Sequence, residues 1–399
     1  MIPSEPEQRL PIRALVVDDD PIIQRLLVAF LGARGYSVEQ SSDGLEALER
    51  VRQGGFNLVV TDRNMPRMDG LALCRAVRAM PSETYLYCIM LTSMREEASL
   101  VAAMEAGVDD FLAKPLRLGE LGARLHAAER MLSLEAGLAS RNRALADAND
   151  QMRRDLELAR VLQTGQLPAP GSFGNLRFDW MFEASGYVGG DVFDYFALDE
   201  RHLCFYLADV SGHGVPAAMM AFHTQHQLRA ASQQAAPLQQ GLAAAAVAVV
   251  AEHNQRFLQM KETSLYLTLL FGLVDLQRGE AALVQAGHPP PLYRAAPAAD
   301  WQTIGEGGLP IGMLAEPGYE AHVVALPPGA RLVLYSDGIP DCRDADGAEY
   351  GLPRLRRLLQ EEGRRPLAAA GERLHGELRG WCGDRAFDDD VTLLALEAR

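Results

Sequence analysis

The strongest constraint on the fold of this 399-residue chain is an alternation of short apolar runs with amphipathic helical patterns near its N-terminus. The runs ALVVDDD, FNLVVTD and YCIMLTS each end in polar residues, and intervening stretches such as PIIQRLLVAFLGARG place apolar residues at helical spacing and stop at glycine. Continuous apolar strands separated by helices predict a doubly wound parallel α/β sheet, covered on both faces. Ligands of such sheets bind at the carboxyl ends of the strands.

Polar residues that could carry chemistry stand at these predicted strand ends. Asp18 and Asp19 end the first run, Asp62 ends the second, Thr92 ends the third, and Lys114 follows later in FLAKP. The strand ends converge in a parallel sheet, so these acids would repel one another unless a hard cation such as Mg²⁺ bound among them. Lys114 and the Thr92 hydroxyl would then stabilise a phosphoryl group on one acid. The pattern predicts phosphoryl transfer to an aspartate.

In this combination and order, the motifs closely resemble the receiver domain of two-component response regulators, over residues 11–130. The resemblance implies that Asp62 is the phosphoacceptor and that a sensor histidine kinase is the partner that phosphorylates it. The implied Mg²⁺ ligands are Asp18, Asp19, Asp62 and the backbone carbonyl of Asn64. The implied switch residues, which sense the phosphoryl group, are Thr92, Phe111 and Lys114.

Residues 131–165 have the character of a helical linker. They are mostly good helix formers, and no proline occurs until Pro168. A heptad seam runs through Leu138, Asn142, Leu145, Asn149, Met152, Leu156 and Ala159. Asparagines at a-type positions favour a parallel two-stranded coiled coil, which predicts a homodimer through the linker. The alternative is a single amphipathic helix docked on a neighbouring domain.

Residues 166–399 predict a second domain of a different class. The segments CFYLADVSG, LTLLFGLVDL, AALVQAG, HVVALPPG, RLVLYSDG and VTLLALEA have the character of strands. Two helical stretches, which begin at PAAMM and LQQGL, lie between the first two of these strands. Grouped strands and grouped helices predict an α+β fold, an antiparallel sandwich with the helices outside.

Four acidic positions end apolar runs in this second domain. They are Asp191 in YVGGDVFD, Asp209 in LADVSGHG, Asp337 in LVLYSDG and the run 388–390 in AFDDDVTLL. Glycines beside three of them allow the backbone to come close to a ligand. Ligand sets made only of oxygen favour Mg²⁺ or Mn²⁺ over zinc, and several carboxylates at one site suggest two ions that activate a water. Alternatively, each aspartate is an ordinary turn residue.

These acids, together with ELARVLQTGQLP, AGHPPPLY and GLPIGM, strongly resemble the bacterial type-2C class of metal-dependent protein phosphatases that regulate sigma-factor pathways. The implied activity is that of a serine/threonine phosphatase, with a phosphorylated anti-sigma-factor antagonist as substrate. The implied catalytic acids and ligands of two Mn²⁺ or Mg²⁺ ions are Asp191, Asp209 as the bridging ligand, the Val210 carbonyl, Asp337 and Asp389. Asp390 is the alternative to Asp389, and Asp194 is expected to order water near the ions.

The sequence departs from the phosphatase pattern in two places. A basic residue often precedes the Val-Gly-Gly-Asp run and is missing here, and Pro340 and Asp341 stand where the class commonly carries threonine and glutamate. Neither change removes an implied metal ligand. Two alternatives stay open: a non-catalytic adaptor with a phosphatase-like fold, and a diguanylate cyclase-like output suggested by GGDVF. Val192 stands where the cyclase signature has an acid.

Composition bounds the partners. The net charge is −15 and no Lys/Arg cluster forms a stripe, which argues against nucleic-acid binding. The five cysteines are scattered without CxxC spacing, as expected of free thiols in a reducing compartment. The N-terminus lacks the pattern of a signal peptide, and no apolar run is long enough to span a bilayer. We therefore expect a cytoplasmic protein without a membrane partner.

Overall fold

The fold is that of a computed structural model, which describes residues 10–81, 84–93, 103–234, 238, 240–260, 265–363 and 365–399. The chain divides into two compact units between Gln151 and Met152. In the described part of the chain, no helix has both the length and the apolar composition needed to cross a bilayer.

The first unit contains a five-stranded parallel sheet with the strand order β2-β1-β3-β4-β5. Its strands are β1 (Arg13–Val17), β2 (Ser37–Ser41), β3 (Leu58–Asp62), β4 (Tyr87–Thr92) and β5 (Asp110–Ala113). Its first three helices are α1 (Pro21–Gly32), α2 (Gly44–Arg52) and α3 (Gly70–Arg78). Apolar clusters lie on both faces of the sheet, so the predicted doubly wound parallel fold is confirmed.

Helix α4 (Leu118–Gly165) is 48 residues long and runs through both the predicted boundary at residue 130 and the division between the units. Leu121, Leu125 and Leu132 in its first turns pack into the core that also contains residues of α1. The apolar positions of the predicted seam are exposed in the single chain, with Leu138 at 55% and Leu145 at 69%. The predicted domain limits and the coiled-coil dimer stay predictions.

The second unit is a sandwich of two antiparallel sheets. One has the order β14-β11-β10-β9-β8 and the other β13-β12-β15-β16-β7-β6. The strands are β6 (Gly171–Phe173), β7 (Leu176–Glu183), β8 (Asp191–Ala197), β9 (His202–Val210), β10 (Leu267–Asp275), β11 (Glu280–Ala286), β12 (Leu292–Arg294), β13 (Gln302–Thr303), β14 (Ala321–Ala325), β15 (Arg331–Tyr335) and β16 (Val391–Ala398).

One apolar core lies between the two sheets, and one more lies on the outer face of each sheet. Helices α5 (Val215–Gln233) and α6 (Leu242–Leu258) cover the sheet that contains β9. Helices α7 (Leu352–Glu361) and α8 (Leu367–Cys382) cover the sheet that contains β16. The predicted sandwich with flanking helices is confirmed, including all six strands expected from the sequence; β6, β7, β8, β12 and β13 were not predicted.

Candidate functional site

Three carboxylates meet at the carboxyl edge of the parallel sheet. Asp18, Asp19 and Asp62 each place one oxygen within 4.8 Å of the others. Asp18 follows β1 and is fully buried, and Asp62 is the last residue of β3. The third acid of the Asp run, Asp20, instead caps α1 by accepting a hydrogen bond from the N–H of Ile22 at 2.8 Å. Such a trio of oxygen donors fits a divalent cation.

Lys114 balances part of this negative charge. Its Nζ lies 2.7 Å from Asp62 Oδ1 and 3.2 Å from Asp18 Oδ2. Burial acts to lower the pKa of Lys114, but the two carboxylates outweigh it and raise that pKa overall. Burial raises the pKa of Asp18, although the Asp20 N–H and Lys114 oppose the shift. Lys114 therefore stays charged beside Asp62, where it can stabilise added negative charge.

The predicted switch residues flank this cluster. Thr92 is buried at the end of β4, and its carbonyl accepts a hydrogen bond from the N–H of Lys114 at 2.8 Å. Phe111 lies half-buried on β5, with the Arg124 guanidinium 6.0 Å from its ring centre. The N–H of Asn64 donates to Asp62 Oδ2 at 3.3 Å. The structure brings these residues to one edge of the sheet, and their switching and ligating roles stay predictions.

The acids of the second unit converge from both sheets. Asp191 begins β8 and pairs across the antiparallel ladder with Asp209, near the end of β9. Asp337 follows β15, and Asp389 precedes β16. Burial, together with repulsion from Asp337, Asp389 and Asp390, raises the pKa of Asp209 to about 8. Burial and the neighbouring Asp209 and Asp390 carboxylates also raise the pKa of Asp191.

Two glycines make this approach possible. A Cβ at Gly190 would lie 2.7 Å from the Val210 carbonyl oxygen, and a Cβ at Gly338 would lie 2.1 Å from the Asp390 carbonyl oxygen. Both obstacles are backbone atoms, which cannot swing aside. The absence of a side chain at these positions therefore lets neighbouring strands within each sheet bring their acids together.

Asp390 has a different environment from Asp389. It is buried, and its Oδ1 accepts from the N–H of Ser185 at 2.8 Å, while its Oδ2 accepts from the N–H of Gly190 at 2.6 Å. Its oxygens are thus occupied by backbone donors. Asp389 is exposed, and its only described hydrogen bond comes from the N–H of the next residue at 2.8 Å.

The donor set of the second unit also fits divalent cations. Asp191 is 2% exposed, its Oδ2 accepts from the Thr392 hydroxyl, and its Oδ1 has no hydrogen-bond partner. A buried carboxylate oxygen without a partner, surrounded by acids that raise one another's pKa, is the chemistry of a site completed by a cation. The set is more open than the first one: among the described residues, only the trio around Asp62 brings one oxygen from each of three acids within 4.8 Å of the others.

Other residues singled out from the sequence lie in distinct places. Asp194 occupies the opposite face of β8 from Asp191, with its carboxylate 3.5 Å from Arg229 of α5, so the structure does not bring it into the acid cluster. His213 is exposed and lies near the carboxylate of Asp389. His288 is buried, with its Nδ1 2.8 Å from the Thr268 hydroxyl.

Sequence reasoning missed three residues that hold the second site. Thr392 and Ser336 support Asp191 and the backbone around Asp390. Gln163, near the end of α4, hydrogen-bonds to the backbone of Gly189. All three lie in quoted motifs, RLVLYSDG, VTLLALEA and ELARVLQTGQLP, but nothing in those motifs indicates their partners.

Comparisons with known families agree with this division of the chain. Residues 199–399 match the family model of stage II sporulation protein E (SpoIIE), and residues 14–126 match the response regulator receiver domain. Response regulator MprA from Mycobacterium sp. (strain KMS) is 41% identical over 128 residues, which are 32% of this chain and 55% of the relative. The chain thus spans about half the length of the curated relatives it matches.

Solved structures provide a further likeness. The SiaA-PP2C domain of Pseudomonas aeruginosa aligns with a TM-score of 0.55 and 23% identity, covering 64% of this chain and all of that domain. At this identity the likeness concerns the fold alone, and it is the fold of a PP2C-type phosphatase domain.

Proposed function

Because the chain belongs to the stage II sporulation protein E (SpoIIE) family and carries a response regulator receiver domain, we propose that it is a response regulator whose output is a metal-dependent protein phosphatase. The substrate is phosphoserine or phosphothreonine in a protein, and specifically in an anti-sigma-factor antagonist. The observation that carries the proposal is the convergence of Asp191, Asp209, Asp337 and Asp389, with raised pKa values, around a buried carboxylate oxygen that lacks a partner.

The phosphatase residues have separate tasks. Two Mn²⁺ or Mg²⁺ ions, when bound, supply Lewis acidity and neutralise phosphate charge. Asp209 stands between the other acids and would be shared by both ions, with the Val210 carbonyl beside it. Asp191, Asp337 and Asp389 would complete the set, and the geometry favours Asp389 over Asp390 because the oxygens of Asp390 already accept backbone N–H groups. The turn at Gly190 holds Asp191 against Asp209.

The receiver residues transfer and sense a phosphoryl group. Asp62 would accept it from the phosphohistidine of a sensor kinase, forming a mixed anhydride on its carboxylate and leaving the kinase histidine free. Asp18, Asp19, Asp62 and the Asn64 carbonyl would hold Mg²⁺ there. Lys114, 2.7 Å from Asp62, would stabilise the added charge. Thr92 and Phe111 would respond by changing the surface next to β5.

Regulation would pass along α4, which begins in the receiver unit and ends in the phosphatase unit. Its exposed apolar seam supports pairing of two copies through the linker. We place the protein in the cytoplasm, because all five cysteines are buried free thiols, as in a reducing compartment. The cyclase alternative is not supported, since Val192 is buried in the core behind α5 and cannot act as a ligand.

The decisive experiment is a phosphatase assay on phosphorylated anti-sigma-factor antagonists in Mn²⁺. We expect acetyl phosphate to raise the rate of the wild type and not of Asp62→Ala, and we expect Asp209→Ala to be inactive with normal folding. Equal rates for wild type and Asp62→Ala, with and without acetyl phosphate, would remove the regulatory half of the proposal. Activity in Asp209→Ala, or none in the wild type, would remove the enzymatic half and favour the adaptor.

A further inference from the structure

Gln163, in the last turn of α4, is the feature that the proposed function leaves unexplained. It is 6% exposed, whereas its neighbours Val161 and Leu162 are each 59% exposed. Its Nε2 donates to the Gly189 carbonyl at 2.8 Å, and its Oε1 accepts from the Gly189 N–H at 3.1 Å. One side-chain amide therefore satisfies both polar groups of a single residue, much as a neighbouring strand would.

Gly189 lies two residues before Asp191. The N–H groups of Gly190 and Asp191 both donate to Asp390 Oδ2, at 2.6 and 3.2 Å. A Cβ at Gly189 would lie 2.2 Å from that same oxygen. The turn before β8 is thus held by Gln163 in the last turn of α4 and by Asp390, the residue before β16. The turn that leads to Asp191 is therefore closely packed against both side chains.

From this geometry we infer that Gln163 is a positioning residue: it makes the metal affinity of the phosphatase site depend on the seating of the C-terminal turn of α4. When the Gln163 amide is hydrogen-bonded to Gly189, Asp191 is held beside Asp209, and Oδ1 of Asp191 is free to bind a cation. When α4 turns or withdraws, the Gly189 N–H and C=O lose their partners, the turn relaxes, and the site binds cations weakly. The regulatory meaning of this inference rests on the proposed function. The predicted effect on cation binding depends only on the position of Asp191.

The chemistry of the contact determines which substitutions test it. Glutamate has the same length but lacks the N–H donor, so its carboxylate would face the Gly189 carbonyl. Methionine has nearly the same volume but neither donor nor acceptor, and it would leave two buried backbone groups unpaired. Gln166 lies just beyond the end of the helix with an exposed side chain, so Gln166→Met is the matched control.

The test measures cation binding without requiring turnover. The full-length chain carries Asp18→Asn, which removes the receiver site from the titration, and bound Mn²⁺ is followed by electron paramagnetic resonance. We expect Gln163→Met and Gln163→Glu to weaken Mn²⁺ binding by about 10-fold or more, the usual range for residues that orient a ligand. Gln166→Met should bind like the parent. Hydrogen exchange of the amides of residues 189–191 should become faster in both Gln163 variants.

Two outcomes would overturn the inference. One is Mn²⁺ binding as tight as the parent's in both Gln163 variants; the other is weakened binding that extends equally to Gln166→Met. Tryptophan fluorescence verifies folding, since Trp180, Trp301 and Trp381 all lie in the second unit. If Gln163→Met does not fold, Gln163→Glu decides alone. A parent that binds Mn²⁺ but hydrolyses no phosphoprotein would sink the proposed function and leave this inference standing.

Discussion

The Asp390 carboxylate accepts a hydrogen bond from the N–H of Gly190 at 2.6 Å, which joins the residue before β16 to the turn before β8 across 200 residues of sequence. The other oxygen of this carboxylate accepts from the N–H and hydroxyl of Ser185 at 2.8 and 3.1 Å. Asp390 therefore acts as an internal acceptor that fixes the loop carrying Asp191. Its contribution to activity comes through the position of that carboxylate.

Replacing this acceptor should damage both folding and metal binding. In Asp390→Asn, one oxygen becomes an NH₂ group that faces backbone donors, so at least one buried N–H loses its partner. We expect the phosphatase unit to lose about 1–3 kcal/mol of unfolding free energy and phosphatase activity to fall by about 10–100-fold. Urea unfolding followed by tryptophan fluorescence and a Mn²⁺-dependent assay measure the two effects. Asp388→Asn, which changes an exposed neighbour, should leave both unchanged; equal effects of the two variants would contradict the assignment.

A second prediction concerns the close approach at Gly338. A Cβ there would lie 2.1 Å from the Asp390 carbonyl oxygen, so Gly338→Ala has to push β16 away from the end of β15. We expect a loss of about 1–3 kcal/mol of stability, with reduced activity because Asp337 and Asp389 separate. Gly376→Ala is the control, because the Cβ meets no atom within 4 Å and lies in helix α8. It should instead stabilise by about 0.5–1 kcal/mol. Thermal unfolding distinguishes the two, and a stable, active Gly338→Ala would refute the packing argument.

The convergence of Asp18, Asp62 and Lys114 could be predicted from sequence because it follows from local rules. Each residue comes directly after an apolar run, and parallel strands put such positions at one edge of the sheet. The approach of Asp191 to Asp209 has a different origin. The expectation that Asp191 ends an apolar run was wrong, because Asp191 begins β8, and antiparallel pairing places it opposite Asp209 near the end of β9.

The roles of Asp390, Asp194 and Gln163 lay beyond such rules. Asp390 is one of three adjacent aspartates, and only the arrival of Ser185 and Gly190 from a distant part of the chain makes it an acceptor. Strand alternation puts Asp194 on the α5 side, but β8 was not predicted as a strand, so its face was unknown. Gln163 is a buried residue near the end of an otherwise exposed helical segment. Its burial is known only from the structure, because the sequence does not indicate what the helix packs against.

A third prediction concerns Lys114, which faces two carboxylates in the receiver unit. Lys114→Met leaves Asp18 fully buried without its cation, so we expect the unit to lose about 1–3 kcal/mol of unfolding free energy in EDTA. Saturating Mg²⁺ should recover most of this loss by neutralising the same acids. Circular dichroism during urea unfolding measures the receiver transition, with the tryptophan signal identifying the phosphatase transition. Arg117→Met also removes one positive charge, but at an exposed position, and should have little effect. Identical unfolding curves in EDTA for both variants would contradict this account.

The last prediction concerns His253, which is buried in α6 with no hydrogen-bond partner for either ring nitrogen. Burial lowers its pKa to about 4, and the nearby His223 and Arg256 act in the same direction. The unfolded chain takes up a proton near its ordinary pKa of about 6.5, whereas the folded protein does so only near 4. The contribution of His253 to the free energy of unfolding is therefore fully present above pH 6.5. It is lost as the pH falls to 4, and the total loss is about 3 kcal/mol.

His253→Met should remove that slope, because methionine fills a similar space and binds no proton. We expect urea unfolding of the phosphatase unit, followed by tryptophan fluorescence in EDTA, to become less dependent on pH between 6.5 and 4 by about 1.4 kcal/mol per pH unit. A residual slope should remain from His288, whose pKa burial lowers to about 3. His226→Met changes an exposed histidine of α5 and is the matched control, which should retain the full wild-type slope. If His253→Met and wild type lose stability in parallel on acidification, His253 is protonated in the folded protein and this explanation fails.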